Sequence, residues 1–158
     1  MQRPSFHTIY MQLAQLLAQR SSCIKKQVGA VITRDTRVVT TGYNGPLAGT
    51  YNCHEKWPQK GCPRSLRGGC SLAIHAEHNA ILYALQSHVQ LAGSTLYVTL
   101  SPCLPCARLI LSVGIQHVLY QDSYAKLKNL DHDEGIAFLR EFNVHVDQYT
   151  TPLKSVLT

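Results

Sequence analysis

Ile74-His75-Ala76-Glu77-His78-Asn79-Ala80-Ile81 and, further along, Ser101-Pro102-Cys103-Leu104-Pro105-Cys106 are the two segments on which the reading of this chain turns. His75, Cys103 and Cys106 form a set of three metal ligands. Three protein ligands leave one tetrahedral position of a zinc ion open to water, the mark of a catalytic rather than a structural site. Glu77 stands too close in sequence to His75 to be an easy fourth ligand. It is better suited to carry protons beside that water, a role that wants a pKa near the working pH. Each segment opens a predicted helix. At a helix N-terminus, residues i and i+3 project to the same side, so C-x-x-C can grip one metal. The positive end of the helix dipole and nearby cations favour the thiolates that zinc needs. Bound zinc would lower the pKa of water from ~15.7 toward about 7.

Working outward, Ser5 caps a predicted helix through about Arg20. Phe6, Ile9, Tyr10, Leu13, Leu16 and Leu17 recur there at helical spacing and read as one apolar face. Val28 to Thr33 and Arg37 to Tyr43 read as strands joined in a hairpin by Arg34-Asp35-Thr36. Gly42-Tyr43-Asn44-Gly45-Pro46 ends regular structure. From Leu47 to Gly69 periodicity is lost, and a loop of that length in a compact domain is usually functional or disordered. Ala76 to Leu85 reads as a helix and Ser94 to Leu100 as a strand. Pro102 and Pro105 suit the first turn of a helix running to Val113. Gly114 stops it, strand Ile115 to Tyr120 follows, and Asp131 or Asp133 caps a helix through Phe142 before a short strand, Val144 to Val146. The order αββαβαβαβ implies one α/β domain over residues 1–158: a central mixed five-stranded sheet with helices on both faces.

Composition sets limits on function. At 158 residues the chain is long enough to bury a core without staples. No apolar run approaches the roughly 20 residues of a membrane span. Met1-Gln2-Arg3-Pro4-Ser5 lacks the features of a signal peptide, so the expected location is cytoplasmic, where cysteines serve metals more often than disulfides. The formal charge of +6 gathers in small clusters, Lys25-Lys26, Arg34/Arg37 and Arg64/Arg67, with no aromatic platform between them. That pattern fits a small phosphorylated ligand at least as well as a polynucleotide.

The pattern H-x-E…P-C-x-x-C is the signature of zinc nucleobase deaminases. Over about Tyr10 to Tyr149 the chain resembles the deoxycytidylate (dCMP) deaminase family, in its phage and late-competence ComEB-like branch of the cytidine deaminase superfamily. The resemblance rests on V-G-A-V-I at Val28 to Ile32, G-Y-N-G at Gly42 to Gly45, I-H-A-E at Ile74 to Glu77, N-A-I-L at Asn79 to Leu82, L-Y-V-T-L-S-P-C at Leu96 to Cys103 and the Gly114-Ile115 turn. It implies a three-layer α/β/α cytidine-deaminase-like fold and hydrolytic deamination of dCMP to dUMP and ammonia. In that reaction a zinc-activated water attacks C4 of cytosine, and Glu77 protonates N3 and then the departing amine. It also implies that the Ala76 N–H and Ser101 carbonyl hold the base edge, that Asn44 bonds the sugar, and that Tyr124 closes over the nucleotide. Relatives are homo-oligomers, often hexamers, and some respond to dCTP and dTTP near the G-Y-N-G-x-x-x-G loop, kept here at Gly42 to Gly45 and Gly49.

Two positions depart from the pattern. His78 stands where relatives carry Met or Leu and reads as a partly buried histidine or a member of a metal network. Gln86-Ser87-His88 stands where relatives often carry a basic residue, which leaves the hold on a 5′-phosphate open. Cys23, Cys53, Cys62 and Cys70 remain. The resemblance implies that they ligate a second zinc, closed by four thiolates and therefore structural, which would order the loop over about 47–70; His54 is the alternate ligand. Two other functions stay in view: deamination of a polynucleotide (tRNA adenosine or single-stranded cytosine), and a zinc-stabilised binding protein without chemistry. Glu77 argues against the second, because a purely structural zinc needs no carboxylate beside an open position.

Overall fold

The computed structural model describes residues 3–57 and 70–150. In chain order its elements are α1 (Phe6–Ala18), β1 (Gly29–Arg34), β2 (Arg37–Tyr43), β3 (Gly45–Pro46), α2 (Cys53–Lys56), β4 (Ala73–Ile74), α3 (Ala76–Gln86), β5 (Thr95–Leu100), α4 (Leu104–Ser112), β6 (His117–Asp122), α5 (Tyr124–Lys128), α6 (Glu134–Glu141) and β7 (His145–Gln148). The main sheet runs β2-β1-β5-β6-β7, and β3 and β4 form a separate two-stranded ladder. β1 is antiparallel to both β2 and β5, whereas β5, β6 and β7 are mutually parallel. The mixed five-stranded α/β sheet expected from the order of elements is therefore present.

Alternation along the strands sorts the core into two layers. Ala30, Ile32, Leu96, Val98, Val118, Tyr120 and Val146 pack with Ala80, Ile81 and Ala84 of α3, Ala107 and Ile110 of α4, and Ile136 and Leu139 of α6. On the other face Val31, Tyr97 and Leu119 pack with Tyr10, Met11 and Ala14 of α1. β1 and β5 are buried along nearly their whole length, because they lie inside the sheet with helices packed on both faces.

The face that α1 presents to the sheet differs from expectation. Tyr10, Met11, Ala14 and Ala18 are buried, while Phe6, Ile9 and Leu16 are 49%, 42% and 63% exposed. The reason is a close approach. A Cβ on Gly29 would stand 1.9 Å from the Ala14 carbonyl oxygen and 2.7 Å from the Ala18 nitrogen, so the helix lies nearly on the backbone of β1 with the two alanines at the line of closest approach. Tyr10 and Met11 are buried beside that line, and this seating turns Phe6, Ile9 and Leu16 outward.

Most boundaries agree with the sequence reading to within two residues. β6 starts at His117, with Ile115 buried in the turn before it. The hairpin turn is the pair Asp35-Thr36, at φ 49° and 61°, between the partners Arg34 and Arg37. Positive φ at both central residues defines a type I′ turn, whose twist matches the flanking strands. The short elements α2, α5 and the β3–β4 ladder are additional. Among the described residues, no helix is long and apolar enough to cross a membrane.

Candidate metal centre and active site

The metal ligands sit at the starts of two helices. His75 is the N-cap residue of α3 and Cys103 that of α4, both in extended conformation. Their carbonyls accept the first helical bonds, from Asn79 at 2.9 Å and Ala107 at 2.8 Å. Cys106 follows within the first turn of α4. His75 Nδ1 lies 3.4 Å from the Sγ of Cys103 and 3.4 Å from that of Cys106. Adjacent N and S ligands of a tetrahedral zinc, at about 2.05 and 2.3 Å from the metal, stand about 3.6 Å apart. The residues therefore fit the ion in both donor chemistry and spacing, and the three ligand atoms form one of two such clusters among the described residues.

Without a metal the three side chains share their protons. The hydrogen bond from Cys106, aided by His75, lowers the Cys103 pKa to about 4. Cys106, bonded to that thiolate and buried, is held as a thiol. The bond with Cys103 lifts His75 to about 9, against the opposing effect of burial. Glu77 is 4% exposed. Burial raises its pKa to about 7, while its own backbone N–H, the charge on His75 and, less, the Cys106 thiol oppose the rise. A carboxyl group poised there can both take and give a proton near neutral pH.

α3 is fixed to β2 by Asn79, whose Nδ2 donates to the Tyr43 carbonyl at 2.9 Å, and by Thr40, whose hydroxyl donates to the Ala80 carbonyl at 3.0 Å. α4 is backed by α6. A Cβ on Gly135 would fall 1.9 Å from the Pro102 carbonyl oxygen and 2.9 Å from the Cys103 carbonyl carbon. Glycine alone allows α6 to rest against the peptide that carries the first cysteine ligand.

The residues expected to meet a substrate are distributed around this centre. Ala76 occupies the first position of α3, where backbone N–H groups have no partner within the helix. Ser101 is buried at the end of β5, and its hydroxyl accepts the Tyr124 N–H at 2.7 Å. Tyr124 opens α5 and is 41% exposed. Asn44 is buried: its Oδ1 accepts the Val28 N–H and its Nδ2 donates to the Lys26 carbonyl, each at 2.8 Å. One Nδ2 proton is left for another acceptor. Asp133, expected only as a helix cap, caps α6 by position but turns its carboxylate to α5. There it accepts the Ser123 hydroxyl and, at 2.9 Å, the Ala125 N–H. Neither this link nor the Gly135 contact had a signal in the sequence, since each joins distant segments through space.

His78 is exposed on α3 rather than partly buried, because the buried stripe of that helix runs through Ala76, Glu77, Ala80, Ile81 and Ala84. It belongs to no metal cluster among the described residues. Of the other cysteines, Cys53 is buried at the start of α2, Cys23 is half-buried and Cys70 is exposed; Cys62, like Arg64 and Arg67, lies outside the described residues. Cys23 and His54 line a common cavity with residues 21–27. A larger groove of about 980 Å³ runs between the Gly42–Thr50 segment and α3, with Arg20, Asn79 and Tyr83 in its wall.

Residues 4–122 match the model of the cytidine and deoxycytidylate deaminase zinc-binding region. The chain is 42% identical to a deoxycytidylate deaminase of Mycobacterium phage D29 over 132 residues, covering 76% of this chain and 97% of that protein. It is 38% identical to the deoxycytidylate deaminase of Schizosaccharomyces pombe over 161 residues, covering 98% of this chain and 47% of the relative. The chain thus spans about half the length of that yeast protein. Its structure is similar to the crystal structure of a dCMP deaminase from cyanophage S-TIM5 in complex with dCMP and dUMP, with a TM-score of 0.75, 27% identity, and coverage of 94% of this chain and 100% of the other.

Proposed function

The chain belongs to the cytidine and deoxycytidylate deaminase family, and from that membership we propose that it hydrolyses dCMP to dUMP and ammonia in pyrimidine deoxynucleotide metabolism. The observation that carries this reading is the buried Glu77 beside the His75–Cys103–Cys106 cluster, in a chain 42% identical to a phage deoxycytidylate deaminase. His75, Cys103 and Cys106 would hold a zinc ion, which when bound supplies positive charge that lowers the pKa of water toward about 7. Glu77 takes a proton from the attacking water and delivers it to N3 of the ring. As the new C4–O bond forms and the C4–N bond breaks, it carries the second proton to the amine, which leaves as ammonia. The Ala76 N–H and the Ser101 carbonyl hold the base edge. Tyr124, fixed through its own N–H to Ser101, covers the nucleotide, and Asn44 offers its remaining Nδ2 proton to the sugar while bracing residues 26–28.

The further features of the proposal follow from the same family. Cys23, Cys53, Cys62 and Cys70 bind a second, structural zinc, with His54 as the alternate ligand; zinc content of two per chain in purified protein tests this, and one per chain refutes it. The protein is a cytoplasmic homo-oligomer. In support, α1 carries the exposed apolar stripe Phe6, Ile9 and Leu16, and an exposed apolar patch on a helix commonly marks an interface. The groove beside Gly42 to Thr50 is the seat of a dCTP or dTTP effector. Ammonia release measured over dCMP, CMP, cytidine and dCTP, each with and without added dCTP as activator, tests the activity. Turnover of none of these by zinc-loaded protein refutes it, and turnover of single-stranded or transfer RNA substrates instead would favour a polynucleotide deaminase.

A further inference from the structure

The second cluster of metal-ligating side chains among the described residues lies on the β6–β7 pair. His117 opens β6 and is paired in register with His145, which opens β7, while Asp147 is paired with Leu119. Val118 and Val146 point into the α3–α4–α6 core, so alternation turns His117, His145 and Asp147 to the opposite face, beside Leu119. α1 covers that face over β1 and β5, and at its far side the cluster is open. The side chains of His145 and Asp147 are 71% and 50% exposed, and that of His117 is 26% exposed. The catalytic ligands, by contrast, follow the C-terminal end of β5. The two groups therefore lie toward opposite ends of the parallel strands.

The geometry of the cluster is that of a ligand set. Asp147 Oδ2 lies 2.9 Å from Nε2 of His117 and 2.9 Å from Nε2 of His145. The three ligand atoms are all within 4.8 Å of one another, and the two imidazoles meet edge to face with centroids 4.7 Å apart. Ligands in adjacent positions of an octahedron at about 2.1 Å from a metal stand about 3.0 Å apart, close to the two nitrogen–oxygen distances here. Two histidines and one carboxylate on one side of an ion form the facial set used for first-row transition metals. As an ion pair alone, a cluster this exposed adds little to stability. The strand ladder, however, fixes the spacing of the two histidines in advance. His7, the next imidazole, sits 6.4 Å from His117 between centroids and bonds the Tyr97 hydroxyl through Nδ1.

We propose that His117, His145 and Asp147 form a second kind of metal site, separate from the thiolate centre, that binds a divalent first-row transition ion and cross-links the edge strand β7 to β6. An octahedral ion held by these three side chains would keep its other positions for water, and because it binds only the folded state its stabilising effect grows with the logarithm of free ion above the dissociation constant. The site does not depend on the deaminase reading.

The test uses the full, zinc-loaded chain titrated with Ni2+ in a calorimeter, together with melting curves at rising Ni2+. Wild type is expected to take up one additional equivalent and to melt at higher temperature as Ni2+ rises. His145→Ala and Asp147→Asn, both at exposed positions, are expected to lose that equivalent and the melting shift while keeping wild-type zinc content. Co2+ in the same site should give weak visible bands without thiolate-to-metal charge transfer. Ni2+ uptake equal in wild type and both variants, or a thiolate charge-transfer band accompanying the additional Co2+, overturns the proposal.

Discussion

Replacing Gly135 by alanine places one methyl group where there is no room. The added Cβ would stand 1.9 Å from the Pro102 carbonyl oxygen, whereas real contacts of this kind lie above 3.0 Å, so one side must retreat by about 1 Å. If α6 retreats, Ile136 and Leu139 withdraw from the core. Overpacking of this sort costs about 1–3 kcal/mol, and at about 2–4 °C per kcal/mol for a domain of this size the melting temperature should fall by roughly 2–12 °C. If instead the Pro102–Cys103 peptide yields, Cys103 moves with it. A displacement of about 1 Å near reacting groups can cost about a hundredfold in rate, so dCMP turnover should collapse with little thermal change. Melting curves of zinc-loaded protein and initial rates on dCMP separate the two responses. A Gly135→Ala protein that melts within about 1 °C of wild type and turns over dCMP at the wild-type rate would show that α6 does not brace the cysteine turn.

Glu77→Gln should keep the fold and the zinc content while lowering dCMP turnover by about 10²–10⁴-fold; near-wild-type rates would remove Glu77 from the chemistry. At pH 7 metal-free protein holds one proton on His75, whose pKa stands near 9, and one on Cys106, whereas Cys103, lowered to about 4, is already a thiolate. Zinc must displace both, so its affinity rises with pH by about a hundredfold per unit near neutrality. Calorimetry in buffers of different ionisation enthalpy should count about two protons released per zinc, and a pH-independent affinity would contradict this. Thr36→Gly relieves a β-branched residue held at φ 61° and should stabilise the protein by about 1 kcal/mol, read as a higher melting temperature. Asp133→Ala frees the Ser123 hydroxyl and the Ala125 N–H at the start of α5. It should cost about 1–2 kcal/mol and raise KM for dCMP more than it lowers kcat, whereas an unchanged KM would detach α5 from substrate binding.

What the sequence revealed depended on range. His75 and Glu77 lie two residues apart, Cys103 and Cys106 three, α3 starts at the expected Ala76, and α4 starts beside the prolines that suit a first turn, so the metal centre was legible from local chemistry. The order of strands and helices was legible from the length and residue types of the apolar runs and from the glycines and prolines that separate them. The seating of α1 was not. The helix's apolar residues spread over a wide arc opposite Thr8, Gln12 and Gln15, and the contact between Ala14 and Gly29 decides which stripe of that arc meets the sheet. α5 has five residues, too few to show a helical period. Asp133 reads as an ordinary cap until the fold brings Ser123 and Ala125 beside it.

The support that α6 gives to the cysteine turn bears on how this site could be moved between proteins. The region matched by the family model ends at residue 122 and already includes His75, Glu77, Cys103 and Cys106. A graft or excised fragment cut there would carry every atom of the chemistry, yet it would leave Pro102 unbraced and strip the apolar flank of β6 of Ile136 and Leu139. The smallest transplantable unit is therefore defined by a glycine that touches no substrate, and it must extend through α6.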